Sequence, residues 1–191
     1  NQIKYAQKKS KELNLDNQVN FEIMDYRDVS GEFDRIVSVG SFEHFGRKFY
    51  KVFFNKMNQV MKNNGKFLLH TIGVVDKPSP PNKFINKYIF PGGFCPSLSQ
   101  IITPLEKTGL IVSDTETLIR HYDKTLESWL QRFLDKKKIV KDLFDERFVK
   151  MWEFYLASCA AAFRHRDLVV FQLQIVKNFQ SSHRTRDYIY L

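Results

Sequence analysis

Cysteine is scarce in this sequence, which has only Cys95 and Cys159 among its 191 residues. Two thiols this far apart are too few for a disulfide framework, and neither lies in the C-x-x-C spacing of many metal sites. We therefore expect no resident metal ion and a reducing, cytoplasmic environment.

Long apolar runs are absent as well. No uninterrupted stretch approaches the roughly 20 apolar residues that a membrane-spanning helix needs, so any contact with the inner face of a membrane is expected to be peripheral. The formal net charge of +9 favours anionic partners such as lipid headgroups. Because the basic residues are dispersed, without Arg-Gly repeats or regular basic and aromatic strips, we expect no nucleic-acid partner.

The sequence does contain an alternation of short apolar runs and helical periodicity. The run Phe33–Gly40 ends in glycine as buried parallel strands do, apolar residues from Phe49 to Val60 recur at helical spacing, and Lys66–Ile72 is a second buried strand. The same reasoning predicts helices over 1–13, 97–108, 122–138 and 148–163, and strands over 19–24, 110–118 and 168–176. This rhythm predicts an α/β fold with a parallel sheet covered by helices.

Residues 74–96 interrupt the rhythm. The segment holds the pair Gly92-Gly93 and all but one of the prolines, namely Pro78, Pro80, Pro81, Pro91 and Pro96. It is too long for an ordinary connection, so we interpret it as a lid or substrate-facing insertion.

Polar residues follow the predicted strands at their carboxyl ends, where open α/β sheets bind ligands. Glu43 can orient a base or accept a proton there, or it can simply favour the dipole of the following helix. His70 is either a hydrogen-bonded core residue or a site residue. Asp25 and Tyr26 fit either a nucleotide contact or a turn that caps its own backbone. Spacing alone leaves each alternative open.

Two further residues carry reactive groups in places where a structural role is the simpler interpretation. Cys159 falls on the apolar stripe of the helix predicted over 148–163, as a small buried side chain would. Tyr122 lies at the start of another predicted helix, where a surface tyrosine is unremarkable.

Taken together, several segments resemble the cyclopropane fatty acid synthases. In chain order they are Asp25-Tyr26-Arg27-Asp28, FDRIVSVGSFEHFG (33–46), FLLHTIG (67–73), INKYIFPGG (85–93), HYDKTLESW (121–129) and ERFVKMWEFYLASCAAAFRHRD (146–167). The resemblance is collinear over nearly the whole chain. Mycolic acid cyclopropane synthases share the pattern, and INKYIFPGG is more similar to the phospholipid-modifying branch.

The resemblance implies a class I S-adenosylmethionine-dependent methyltransferase domain over residues 1–191. Its Rossmann-like sheet would carry helices on both faces, with the insertion at about 74–96 and a helical segment at about 121–164. It also implies methyl transfer from S-adenosylmethionine to the cis double bond of an unsaturated phospholipid acyl chain, closing a cyclopropane ring with bicarbonate as the base. The family's glycine-rich first strand and turn would precede Asn1, so we expect a C-terminal portion that binds cofactor poorly alone.

The resemblance also assigns roles to individual residues. Glu43, His70, the backbone of Ile72 and Tyr122 would bind the bicarbonate ion, and Cys159 matches a cysteine proposed as catalytic. The residues that would line the cofactor are Asn1, Gln2, Tyr26, Arg27, Val39 and Gly40. Because an alkene does not need a thiolate to react with it, we rank Cys159 below Glu43 and His70.

Two alternatives to cyclopropanation stay open. One is a related enzyme that only methylates or hydroxymethylates a lipid chain. The other is a fragment without catalytic activity that folds, forms a homodimer or binds a membrane.

Overall fold

The computed structural model of the protein describes residues 1–77, 79–80 and 82–190. The chain forms two compact units, Asn1–Gly31 and the remainder from Glu32 onward. The first unit contains helix α1 (Gln2–Glu12), as the sequence predicts, and the 3-10 turn Tyr26–Asp28.

The strand expected over residues 19–24 is not formed, and that prediction is wrong. The segment alternates apolar and polar residues, but Val19, Ile23 and Met24 are exposed. Among the described residues, no strand ladder includes it. An alternating segment without a backbone partner or a layer to cover its apolar side stays irregular.

The second unit is built on a four-stranded sheet with helices on both faces, which confirms the α/β fold. The strands are β1 (Phe33–Val39), β2 (Met61–Val74), β3 (Ile111–Leu118) and β4 (Leu168–Val176), in the spatial order β1-β2-β4-β3. The helices of this unit are α2 (Tyr50–Val60), α3 (Lys83–Tyr88), α4 (Leu98–Glu106), α5 (His121–Asp135), α6 (Lys137–Leu143) and α7 (Glu146–His165).

The sheet is not parallel throughout, which corrects the expectation from the strand and helix rhythm. β1 and β2 are parallel, as predicted, but β4 runs antiparallel to both β2 and β3. The reason is the packing of α5 against α7, the first and last of the helices between β3 and β4. Arg164, near the end of α7, binds Asp123, near the start of α5, so the two helices are antiparallel. The chain thus returns to the end of the sheet where β3 finished, and β4 enters from there.

The two faces of the sheet bury different helices. On one face, Phe67 of β2 meets the ring of Phe53 from α2, with the ring centroids 5.9 Å apart. On the other face, Ile72 of β2 and Val170 of β4 pack with apolar residues of α5 and α7. Phe67 and Ile72 face opposite sides because side chains alternate along a strand.

The predicted insertion over 74–96 contains helix α3, which the sequence interpretation did not foresee. The side chain of Asn82 begins this helix by accepting hydrogen bonds from the backbone N–H groups of Phe84 and Ile85. Phe84 packs edge-to-face on Phe154 of α7, with the ring centroids 4.9 Å apart. Pro78 and Pro81 lie outside the described residues.

The ion pair between α5 and α7 gives a test of the fold. Arg164 donates Nε–H to Asp123 at 2.8 Å and Nη2–H at 2.9 Å, and it also contacts Glu127. Asp123 is only 5% exposed. The hydrogen bonds from Arg164 hold the pKa of Asp123 below its usual value, so this stabilisation is present above about pH 4 and is lost as the pH falls through the folded-state pKa.

We therefore expect Asp123→Asn to lower the urea midpoint of unfolding at pH 7. The difference in urea midpoint between this variant and the unmodified chain should become smaller as the pH falls from about 5 towards 2. Circular dichroism at several pH values measures both effects. The matched control is Asp142→Asn, which removes an exposed carboxylate from α6. Equal midpoints for the two variants at pH 7 would show that the pair does not stabilise the fold.

Candidate active site

The site lies at the carboxyl ends of β1 and β2. β1 ends at Val39, and the N–H of Gly40 then donates to the carbonyl oxygen of His70 at 3.1 Å. Gly40 has a φ of +64°, and a Cβ built on it would meet no atom within 4 Å. The backbone of Gly40 is therefore open to close approach by a ligand.

Glu43 is the central polar residue of this edge. It lies in the 3-10 turn Phe42–His44, is 8% exposed, and accepts a hydrogen bond at Oε1 from the backbone N–H of Ile72 at 2.7 Å. The carboxylate therefore reaches across to β2, whereas helix α2 begins only at Tyr50. Its bonding thus does not match the interpretation of Glu43 as a residue that only serves the helix dipole.

The aromatic core holds the turn of Glu43 in place. Phe42 is fully buried and stacks on Tyr50, with the ring centroids 4.0 Å apart. With Phe42 fixed in this way, its neighbour Glu43 is directed towards β2. The second carboxylate oxygen of Glu43, Oε2, is buried and has no hydrogen-bond partner among the described residues. A buried acceptor of this kind suits a ligand that brings its own donor.

His70 lies on β2 two residues before Ile72, so both side chains are on the same face of the sheet. Its side chain is partly buried and forms no hydrogen bond with the described part of the chain. The interpretation of His70 as a hydrogen-bonded core residue is therefore not supported.

Cys95 belongs to this region although no sequence motif pointed to it. The N–H of Phe94 donates to the carbonyl oxygen of Glu43 at 2.8 Å, and the N–H of Val74 donates to the carbonyl oxygen of Pro96 at 3.0 Å. Cys95 is thus held between two anchored neighbours. Burial, reinforced by the charge of Glu43, raises the pKa of the Cys95 thiol to about 12.

Gly73 allows the segment around Cys95 to lie close to β2. A Cβ at Gly73 would stand 2.6 Å from the carbonyl oxygen of Pro96 and 2.4 Å from the ring of Phe171. Any larger residue would force this segment or the ring to move.

Helices α5 and α7 contribute Tyr122, Tyr155 and Cys159. Burial, followed by the charge of Cys159 and that of Glu43, raises the pKa of Tyr122. Burial and the nearby Cys159 and Tyr122 raise the pKa of Tyr155 to about 12. Burial raises the pKa of Cys159 to about 11, the opposite of what an activated nucleophile needs. All these groups are therefore neutral near pH 7.

The structure brings most of the predicted catalytic residues into one region. Glu43 binds Ile72 directly, and Ile72, Tyr122 and Cys159 pack on the same apolar cluster around Tyr155. Cys95 and Tyr155 are additions that the sequence interpretation missed. Their proximity depends on contacts between distant segments and not on a local pattern.

The predicted cofactor residues are divided between the two units. Asn1 precedes α1 as its N-terminal cap and Gln2 is its first residue, whereas Val39 and Gly40 end β1. Tyr26 and Arg27 lie in the 3-10 turn, whose preceding Asp25 accepts from the N–H of Arg27 at 2.9 Å, so the backbone-capping interpretation of Asp25 holds. Hydrogen bonds from Arg27 lower the pKa of Asp25 to about 2. Cofactor contacts at these residues stay a prediction.

Two features are absent from the described residues. No three His, Cys, Asp or Glu side chains lie close enough together there to hold a metal ion. None of the helices described is both long and apolar enough to cross a bilayer.

Comparison with known proteins shows to which family the chain belongs. Residues 1–173 match the family described as mycolic acid cyclopropane synthetase. The chain belongs to this family. It is 39% identical to cyclopropane-fatty-acyl-phospholipid synthase of Escherichia coli K12 over 183 residues, which are 96% of this chain and 47% of that protein. It is 33% identical to a probable fatty acid methyltransferase of Pseudomonas putida, over 95% of this chain and 48% of that protein.

Solved structures of family members have the same fold. The cyclopropane synthase MmaA2 of Mycobacterium tuberculosis superposes with a TM-score of 0.80 at 26% identity, covering 91% of this chain and 66% of that one. The mycolic acid cyclopropane synthase CmaA1, complexed with SAH and CTAB, gives 0.76 at 29% identity, covering 89% and 66%. The chain spans about half the length of the first two curated relatives named above.

The raised pKa values of the two thiols predict slow alkylation. At pH 8 a thiol with a pKa near 11 or 12 has a thiolate fraction more than about a hundredfold below that of a free cysteine. We expect iodoacetamide to modify Cys95→Ser and Cys159→Ser, each with one remaining thiol, far more slowly than the urea-unfolded chains. The rates should still be rising at pH 10. Intact mass over time measures them, and native rates within tenfold of the unfolded ones at pH 8 would contradict the assignment.

The same assay tests whether Glu43 acts on Cys95. Glu43 contributes to the raised pKa of Cys95 but not to that of Cys159. Glu43→Gln should therefore accelerate alkylation of Cys95 and leave Cys159 nearly unchanged. If both thiols accelerate equally, general loosening of the fold is the better explanation.

Proposed function

We propose that this chain supplies the catalytic portion of an S-adenosylmethionine-dependent enzyme that converts the cis double bond of an unsaturated phospholipid acyl chain into a cyclopropane ring. The observation that carries the proposal is the buried carboxylate of Glu43, tied to Ile72 through one oxygen and unpartnered at the other, beside neutral tyrosines and thiols. The names of the relatives from E. coli and M. tuberculosis support the same chemistry.

The methyl donor is expected at the carboxyl end of β1. S-adenosylmethionine, when bound, supplies an electrophilic methyl group. Its binding residues would be Asn1, Gln2, Tyr26, Arg27, Val39 and Gly40. The open approach to the backbone of Gly40 fits such a ligand. The CmaA1 complex with SAH supports this cofactor, since SAH is what S-adenosylmethionine becomes after giving up its methyl group.

Bicarbonate fits the polar groups around Glu43. When bound, it supplies an oxygen that can accept a proton. Oε2 of Glu43 is a buried acceptor that suits the hydroxyl of this ion, and the hydroxyl of Tyr122 and a ring N–H of His70 can donate to its other oxygens. The resemblance assigns the backbone of Ile72 to the bicarbonate ion, but its N–H donates to Glu43 instead, so we propose that Ile72 orients the carboxylate.

The remaining residues provide a dry, neutral surrounding for the acyl chain. An alkene is itself the nucleophile towards a methyl donor, so no thiolate is needed. The rings of Tyr122 and Tyr155 can stabilise positive charge on the lipid chain through their π faces. Cys159, with its raised pKa, then contributes as a small apolar side chain.

A second candidate is methylation of the lipid chain without ring closure. The similarity to the probable fatty acid methyltransferase of P. putida favours it. Both reactions add carbon to the chain, but only cyclopropanation consumes the alkene and leaves a ring.

The decisive assay uses vesicles of an unsaturated phospholipid with S-adenosylmethionine. Because the chain spans about half of its relatives, both this chain and the complete product of its gene are tested. With the complete product, we expect mass spectrometry to show that the lipid gains one CH₂. Proton NMR of the lipid should show loss of the alkene and the appearance of ring protons. A gain of CH₂ with a branched chain and no ring would select the second candidate. No change in the lipid with either protein would exclude both.

Variants of the active complete protein test the roles of individual residues. Glu43→Gln and His70→Ala should each lower turnover by about a hundredfold or more, as expected for groups that hold a proton acceptor. Cys159→Ser is the matched control and should stay within about tenfold of the unmodified enzyme. Near-normal rates for both Glu43→Gln and His70→Ala would remove the bicarbonate assignment.

A further inference from the structure

A basic pocket of about 630 Å³ lies between the start of α2 and helix α4. Its lining includes four cations, Arg47, Lys48, Lys51 and Lys107, and no carboxylate. It is separate from the catalytic residues named above, and the role of these cations is not accounted for by the chemistry at Glu43.

The four cations are not neutralised by ion pairs. Within residues 1–77, 79–80 and 82–190, none of them forms a salt bridge, whereas Lys137 and Lys141 of α6 pair with glutamates. The guanidinium of Arg47 instead lies 5.5 Å from the ring centroid of Phe94. Four unpaired cations around one cavity create a positive potential that attracts an anion.

The two helices add to this potential. α2 starts at Tyr50 in the pocket lining, with no acidic residue in its first turn and no side-chain cap. The positive end of its dipole is therefore not compensated. On α4, the amide oxygen of Gln100 accepts from the N–H of Ser97 at 3.0 Å, which leaves its NH₂ group as a donor. The chemistry of the pocket thus fits phosphate oxygens.

The position of the pocket indicates which phosphate it would bind. Arg47 contacts Phe94, and Phe94 donates its N–H to the carbonyl oxygen of Glu43. Phe94 therefore connects the pocket to the turn that carries the carboxylate of Glu43. A phosphate bound here would bring any acyl chain attached to it close to the site.

We propose that this basic pocket, with Arg47, Lys48, Lys51 and Lys107 around it, binds the headgroup phosphate of the phospholipid substrate. The assignment rests on the proposed function, in which the acyl chain that reacts near Glu43 belongs to a phospholipid. It explains why the cations cluster at this place and stay without carboxylate partners.

Binding of a soluble lipid tests the proposal without any need for turnover. Dihexanoyl phosphatidylglycerol, kept below its micelle concentration, is titrated into the complete gene product and followed by isothermal calorimetry. We expect Lys51→Gln/Lys107→Gln to weaken binding by about tenfold or more, as expected when charge-assisted hydrogen bonds are lost. The affinity should also fall with added salt.

The control removes the same charge elsewhere. Lys124→Gln/Lys138→Gln neutralises two exposed lysines on α5 and α6 and should leave the affinity within about twofold. If both double variants weaken lipid binding equally, general charge attraction explains the effect and the proposal is overturned. Inorganic phosphate that binds as tightly as the lipid would also overturn it, in favour of a free phosphate site.

The two proposals fail in different ways. If the lipid affinity is unchanged by substitution of Lys51 and Lys107 while the complete protein still forms cyclopropane rings, only the proposal of a phosphate pocket is wrong. If no ring forms although the lipid binds through these lysines, the proposed reaction is wrong, and the pocket remains a phospholipid-binding site.

Discussion

The hydrogen bond between the backbone N–H of Ile72 and the carboxylate of Glu43 ties together the parts of this molecule that matter for chemistry. It joins the loop after β1 to the end of β2 and fixes which way the carboxylate points. A buried charge is costly without partners, so this bond also makes the burial of Glu43 tolerable. The unpartnered second oxygen is then the group with the strongest remaining demand for a ligand.

Burial has the same effect on two thiols and two tyrosine hydroxyls near Glu43. It raises the pKa values of Cys95, Cys159, Tyr122 and Tyr155, so each of them is neutral at ordinary pH. An acyl chain can enter such a region without stripping water from a second charge. A site of this kind suits an apolar substrate and one anionic proton acceptor better than thiolate chemistry.

Local patterns in the sequence predicted most of the strands and helices, because apolar runs and helical spacing reflect which side of an element is buried. Local patterns could not predict the direction of β4, because LVVFQLQIV is equally apolar in either direction. Its direction follows from the antiparallel packing of α5 and α7, which depends on Asp123 and Arg164 meeting across 41 residues.

In the candidate site, too, local patterns identified some residues, whereas contacts between distant segments were needed for others. Glu43, His70, Tyr122 and Cys159 were noted from their places on predicted strands and helices, and motifs of a known family assigned their roles. Cys95 carries no motif, and the hydrogen bonds of its neighbours Phe94 and Pro96 bring it there. The segment over 19–24 had the right alternation for a strand, but alternation alone supplies no hydrogen-bonded neighbour.

The place of β4 in the sheet has a consequence for how the protein is made. Strand β4 is the last of the described strands along the chain, yet it lies between β2 and β3. As the chain leaves the ribosome, β3 has no neighbour in this sheet until residues 168–176 have been synthesised. The edges of β2 and β3 that face β4 are open to wrong pairing during that interval. Completion of the sheet is therefore a late step, and a chain that stops before Leu168 would leave both edges permanently unpaired.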